Sequence, residues 1–263
     1  MALINGTEQS ESIGGERSGD YINNPSTNDT IYASGGDDSV FANGNDTISG
    51  GTGNDSILGD YTDNLVAFGE AGNDYIGDGL GDGKLYGGDG EDTLTGGAGD
   101  DSLFGGSNDD SFRGGNGNDR IYGEEGNDLI MGDRGSDVLV GGNGNDTLAG
   151  VISRVYGPNV PKNLAGDKDT LYGGGGADTF ILGTTNGSDY DLNKGTDLAI
   201  IEDFNSGEDK IQLYGYSFLY NLTRVGSNTS ISINKGENGG EDLVAIIKSS
   251  DDLNLDSSDF TFV

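Results

Sequence analysis

Apolar residues recur along this chain with a period of nine. They fall at Ile13, Ile22, Ile31, Val40, Ile48, Ile57, Val66, Ile76, Leu85, Leu94, Leu103, Phe112, Ile121, Ile130, Leu139, Leu148, Leu171 and Phe180. Two places before each of them stands the sixth place of a nine-residue frame, which is nearly always acidic. The unbroken stretch is Asp92, Asp101, Asp110, Asp119, Asp128, Asp137 and Asp146. Upstream the frame runs through Glu11, Asp20, Asp29 and Asp38, then loses one residue to reach Asp46 and Asp55. It passes Asn64, gains one residue before Asp74, and places Gly83 once where an acid belongs. After Asp146 an insertion, roughly Val151 to Leu164, precedes two last units at Asp169 and Asp178.

An apolar residue between two outward neighbours is a minimal strand whose central side chain points inward. The preceding six residues read G-G-x-G-x-D, without a mismatch at Gly141-Gly142-Asn143-Gly144-Asn145-Asp146. Glycines suit such a turn because the chain must take positive φ and curl tightly. Two nonapeptides make one coil of a flattened parallel spiral, and units i and i+2 stack on one edge about 4.8 Å apart. The expected fold is all-β: a parallel β-roll over residues 1–182, with an insertion at about 151–164. Beyond residue 182 glycine thins out. Runs such as Leu198-Ala199-Ile200-Ile201, Ser230-Ile231-Ser232-Ile233 and Leu243-Val244-Ala245-Ile246-Ile247 alternate with Asn/Gly/Ser turns. These are strand and hairpin signals. They predict a C-terminal β-rich cap over 183–263, covering the open end of the roll.

Composition sharpens the picture. The 263 residues include 51 Gly and no Cys, His or Trp, and carry a net charge of −33. High charge with low hydrophobicity ordinarily marks a disordered chain. Disorder does not explain why the apolar residues keep step with the carboxylates, but a chain disordered without metal and folded with it satisfies both.

Stacking sets the Asp side chains in two columns. Carboxylates 4.8 Å apart repel by about 1 kcal/mol in water and about 3.5 kcal/mol at an effective dielectric of 20. A hard divalent cation relieves this. Calcium takes six to eight oxygens from carboxylates and carbonyls, whereas magnesium demands fewer ligands and retains water. Zinc and copper lack their usual Cys and His ligands.

These units resemble those of the RTX (repeats-in-toxin) proteins, and the motif is a calcium-binding nonapeptide repeat. The resemblance covers residues 6–182 and implies a parallel β-roll filled with multiple Ca2+ ions. The last unit, Gly173 to Leu182, is similar to the terminal repeat of such arrays. Ile201-Glu202-Asp203-Phe204-Asn205-Ser206-Gly207-Glu208-Asp209-Lys210-Ile211-Gln212-Leu213 is similar to segments that follow the repeats in serralysin-type proteases and cyanobacterial calcium-binding proteins. Carried over by motif position, the ligands would be Asp20, Asp29, Asp38, Asp46, Asp55, Asp74, Asp92, Asp101, Asp110, Asp119, Asp128, Asp137, Asp146, Asp169 and Asp178, with carbonyls of their glycine turns. Glu11, Asn64 and Gly83 depart from the pattern, so sites that use them are weakened or absent. Region 60–86 is the most irregular.

The start, Met1 to Gly6, has no basic n-region and no long apolar run, so no conventional secretory signal is expected. No stretch of about 20 apolar residues exists to span a membrane. The resemblance implies extracellular localisation by type I secretion, and Asp259-Phe260-Thr261-Phe262-Val263 is similar to the acidic-then-hydrophobic ending of that class. Nucleic-acid binding is opposed by the charge. The common catalytic triads need His or Cys, so no enzyme is expected. Repeats beginning almost at Met1 strengthen that expectation. Asp78-Gly79-Leu80-Gly81-Asp82-Gly83 half-matches an EF-hand loop, but Leu80 sits where a ligand belongs. Three roles remain open: a secreted structural or interaction protein, the secretion and folding module of a larger enzyme or toxin, or a binder of surface polysaccharide or matrix. For the last, Arg154, Tyr156 and Lys162 of the insertion are the candidate contacts. Ice binding is disfavoured, since the third turn position shows no Thr ladder.

Overall fold

A computed structural model describes residues 3–5, 12–14, 19, 21–24, 28–59, 64–150, 167–182, 198–234, 241–249 and 251–263. Glu11, Asp20, the whole 151–164 insertion with Arg154, Tyr156 and Lys162, and the stretch 183–197 lie outside the described residues. The chain forms two compact units, 1–129 and 130–263.

In the first unit, short strands alternate between two parallel sheets. One contains Leu3–Asn5, Tyr21–Asn23, Ser39–Phe41, Ser56–Leu58, Tyr75–Gly77, Thr93–Ala98 and Ser111–Asn116. The other contains Ser12–Gly14, Thr30–Gly35, Thr47–Thr52, Val66–Ala71, Lys84–Asp89, Ser102–Ser107 and Arg120–Glu125. Each strand pairs with the one a full coil later, so Leu85, Leu103 and Ile121 are in register. The expected parallel β-roll is the fold observed. The inward residues Ile31, Ile57, Leu94 and Leu103 are fully buried, while their neighbours along each strand, such as Thr93, Thr95, Ser102 and Phe104, are only partly buried on the outer face. On the outside of one sheet Phe68, Tyr86, Phe104 and Tyr122 stack with ring centroids 4.7, 4.9 and 5.1 Å apart.

One coil departs from the expected phase. Ala67, not Val66, is the inward residue, in register with Ile48 and Leu85. Leu65 is 1% exposed and takes the sixth place assigned above to Asn64. The register explains this: Val66 N–H donates to Asp46 O at 3.0 Å and Lys84 N–H to Leu65 O at 2.7 Å. The extra residue therefore falls before Leu65, which stands ten residues after Asp55, and not between Asn64 and Asp74. Placing Leu65 inward removes a full leucine from water, worth about 1.5–3 kcal/mol, which a phase exposing it would forfeit.

The second unit repeats the plan. Val138–Asn143, Lys168–Gly175, Leu198–Ile201 and Glu241–Lys248 run parallel. Thr147–Ala149, Thr179–Leu182, Lys210–Leu213 and Phe260–Phe262 do the same on the other face. Val138 pairs with Thr170, so the register resumes across the insertion without loss. An antiparallel pair, Tyr220–Val225 and Asn228–Asn234, joins the Glu241–Lys248 edge. The C-terminal β-rich segment is thus fused to the last repeats through shared sheets. Among the described residues there is no α-helix, only a 3-10 turn at Ser217–Leu219, and no helix is long and apolar enough to cross a membrane.

Candidate metal centres

The turns set the sixth-place residues in columns along the edges. In the first unit one column is Asp29, Asp46, Leu65, Gly83, Asp101 and Asp119, and the other is Asp38, Asp55, Asp74, Asp92, Asp110 and Asp128. The second unit carries Asp137 with Asp169, and Asp146 with Asp178. All these aspartates are at most 3% exposed.

Two opposed hydrogen-bond ladders pin each turn. At the sixth place the carboxylate Oδ1 accepts the backbone N–H of the coil before. Asp74 N–H donates to Asp92 Oδ1 at 2.7 Å, Asp92 N–H to Asp110 Oδ1 at 2.8 Å and Asp101 N–H to Asp119 Oδ1 at 2.9 Å. Asp137 and Asp146 donate likewise to Asp169 and Asp178, at 3.1 and 2.9 Å. At the fifth place the direction reverses: Asn73 N–H donates to Asn54 Oδ1 and Asn118 N–H to Asp100 Oδ1, at 2.8 and 2.7 Å. The fifth-place Asn and Asp residues are therefore structural acceptors, a role that the spacing of the sixth-place acids did not reveal.

The second carboxylate oxygen does something else. Oδ2 of Asp55, Asp74, Asp92, Asp101 and Asp110 is buried and receives no hydrogen bond. Each lies against the first glycine of its own unit: Gly50, Gly69, Gly87, Gly96 and Gly105. A Cβ at any of these glycines would overlap that oxygen. The same point lies 2.7 Å from the carbonyl of the next coil's first glycine, Gly105 O for Gly87 and Gly123 O for Gly105. Oδ2 of Asp137, Asp146, Asp169 and Asp178 lies in the same way against Gly132, Gly141, Gly150 and Gly173, with Gly173 O beside the Gly141 position.

Burial is the main cause that raises the carboxyls of Asp55, Asp74, Asp92, Asp101, Asp110, Asp128 and Asp178 from their ordinary 3.8, with neighbouring carboxylates adding to it against the backbone hydrogen bonds. Asp110 is pushed up to about 8, Asp55 and Asp101 to about 7, and Asp92, Asp128 and Asp178 to about 6. A buried anion without a donor is costly unless a cation or proton meets it. No three acidic side chains cluster among the described residues, so any ligand set must combine a few carboxylates with glycine carbonyls. An all-oxygen set of that kind fits calcium.

The upstream units differ. Asn24 occupies the first place before Asp29, and its Nδ2 donates to Asp29 Oδ2 at 2.6 Å and Asp46 Oδ2 at 2.9 Å. A neutral amide thus bridges two expected ligands. Ala33 and Ala42, both buried, stand at the first place before Asp38 and Asp46. The glycine cradle therefore begins at Asp55 on one edge and reaches Asp101 on the other.

Downstream the column continues past the expected ligands. Asp209, 3% exposed, accepts the N–H of Asp178 on Oδ1 at 3.1 Å, and Ile211 follows inward. Asp209-Lys210-Ile211 repeats the acid-x-apolar signal, but Asp203, in line with Gly173, takes the first place of this unit and Asp209 stands six residues after it where five is the rule. Asp203 binds the Gly173 and Gly174 N–H groups at 2.9 and 3.0 Å.

The sequence model of the RTX calcium-binding nonapeptide repeat matches residues 26–43, 42–76, 77–112, 86–121, 113–148 and 166–188. These segments cover more than half of the chain. The chain belongs to this family, and its fold is a calcium-binding β-roll. None of the curated proteins compared with the chain matches it.

Proposed function

We propose that this is an exported extracellular protein whose roll folds as its several calcium ions bind, and whose role is structural or interactive rather than enzymatic. The observation that carries this reading is the set of Oδ2 atoms at Asp55, Asp74, Asp92, Asp101 and Asp110, buried without a donor beside glycine carbonyls. Calcium, when bound, supplies the positive charge that lets these carboxylates stack ionised. The protein's own residues do the rest. Oδ1 is fixed by the preceding coil, the glycines leave room for Oδ2, and the inward Ile and Leu residues hold the edges apart. Because a carboxylate of one coil and a carbonyl of the next share each cradle, closing the site and stacking the coils are one event.

Calcium at millimolar level is an extracellular condition, which supports export of an unfolded chain. The resemblance of Asp259–Val263 to type I signals supports that route, with the secretion apparatus as a transient partner and cell-surface polysaccharide or matrix as the setting. Expressed beside a type I exporter, the whole chain is expected in the medium, and a chain lacking residues 259–263 is expected to stay in the cell. Equal retention of both would contradict export by this route.

A further inference from the structure

The irregular coil of the first unit contains an exchange of two residues. From Gly50 to Gly173 the first place is otherwise glycine and the sixth, Leu65 aside, is aspartate. Here the first place is Asp78 and the sixth is Gly83. The register leaves no doubt about the places: Gly77 pairs with Thr95, and Asp78 N–H donates to Thr95 O at 2.9 Å, so Asp78 stacks where the next coil has Gly96. Ser102 N–H donates to Gly83 O at 2.9 Å, as Ser111 does to Asp92 O.

The exchange is reciprocal in space. A Cβ on Gly83 would lie 2.5 Å from Asp78 Oδ2, just as a Cβ on Gly96 would overlap Asp101 Oδ2. One cradle is filled in both coils, with the carboxylate entering from opposite sides. The neighbouring anion meets it there. Asp101 is 0% exposed, its Oδ1 accepts the Gly83 N–H at 2.7 Å, and its Oδ2 receives no hydrogen bond. The EF-hand alternative fails on two counts. Strands Tyr75–Gly77 and Lys84–Asp89 flank the segment, and Asp82 is committed to the fifth-place ladder, accepting Asp100 N–H at 2.8 Å.

We propose that Asp78 is a calcium ligand which, with Asp101 and glycine carbonyls, forms a metal site in the coil whose sixth place has lost its carboxylate. The column on this edge then regains an anion immediately after the Leu65 break. This rests on the reading of the Asp columns as calcium sites.

The test counts calcium bound to the full-length chain by titration calorimetry, with circular dichroism confirming the fold of each variant. Asp78→Asn is expected to bind one calcium fewer than wild type. The double variant Asp78→Gly with Gly83→Asp restores the common order and is expected to recover the wild-type count. Gly83→Asp alone should gain none, because the cradle is already filled. A folded Asp78→Asn chain with an unchanged count and affinity overturns the proposal. If that variant does not fold, the double variant decides: a wild-type count supports the proposal, and a folded chain that binds one calcium more than wild type, showing that the coil held no site before, overturns it. A wild-type chain that binds no calcium instead overturns the column reading beneath it.

Discussion

Asp92 donates its backbone N–H to Oδ1 of Asp110 at 2.8 Å, one coil further along, and leaves Oδ2 of Asp110 buried with no donor. One carboxylate thus has two duties, a structural one that the protein satisfies and a charged one that it does not. Asp110→Asn separates them, since the amide oxygen keeps the Asp92 contact while the charge goes. The variant is expected to bind one calcium fewer and to need about tenfold more calcium to fold, equivalent to about 1.4 kcal/mol. An unchanged calcium midpoint would remove Asp110 from the ligand set.

Gly105→Ala tests the cradle without changing charge. The added methyl meets Asp110 Oδ2 and lies 2.7 Å from Gly123 O. Overpacking of this kind costs about 1–3 kcal/mol. A lower melting temperature in saturating calcium and one lost calcium are expected. Loss of stability with the full count retained would make the glycine a packing requirement only.

Asn24 Nδ2 donates to Oδ2 of both Asp29 and Asp46, where the later units leave Oδ2 against glycine. Asn24→Leu removes the donor to Asp29 and Asp46 and should lower stability in calcium by about 1–3 kcal/mol, measured by denaturant unfolding. Asn24→Asp, by supplying a third carboxylate, should add one bound calcium. A variant with neither loss of stability nor gain of calcium would deny the amide this role.

The raised carboxyls set a pH dependence. They hold protons more tightly folded, at about 6 to 8, than unfolded, near 3.8. The metal-free fold is therefore favoured below pH about 4 and loses stability as pH rises towards 8. In chelator the chain should be compact at pH 4 and expanded at pH 8 by small-angle scattering. At pH 6.5, calcium binding should release protons, seen as a dependence of binding heat on buffer ionisation. Equal dimensions at both pH values would contradict this.

The sheets and most of the columns were legible because Leu94, Phe112 and their equivalents hold the phase set by Asp92 and Asp110. What escaped was relational. A period of nine does not say where in a turn an extra residue is absorbed, so Asn64 and Leu65 exchanged places until the register resolved them. Glycine at the first place reads as a turn former. That it makes room for a carboxylate five residues later shows only in three dimensions, which hid the Asp78–Gly83 exchange and the substitution by Asn24. Asp209 was hidden by the longer turn that separates it from Asp203.

The most direct test of the account is a calcium titration of the chelated chain at pH 7.5, followed by circular dichroism and hydrodynamic radius, with magnesium as the control. A cooperative change from an expanded coil to compact β-structure in calcium, and none in magnesium, is the expected result. A chain already compact in chelator, or still expanded in calcium about ten times above the weakest range expected for extracellular sites, contradicts it.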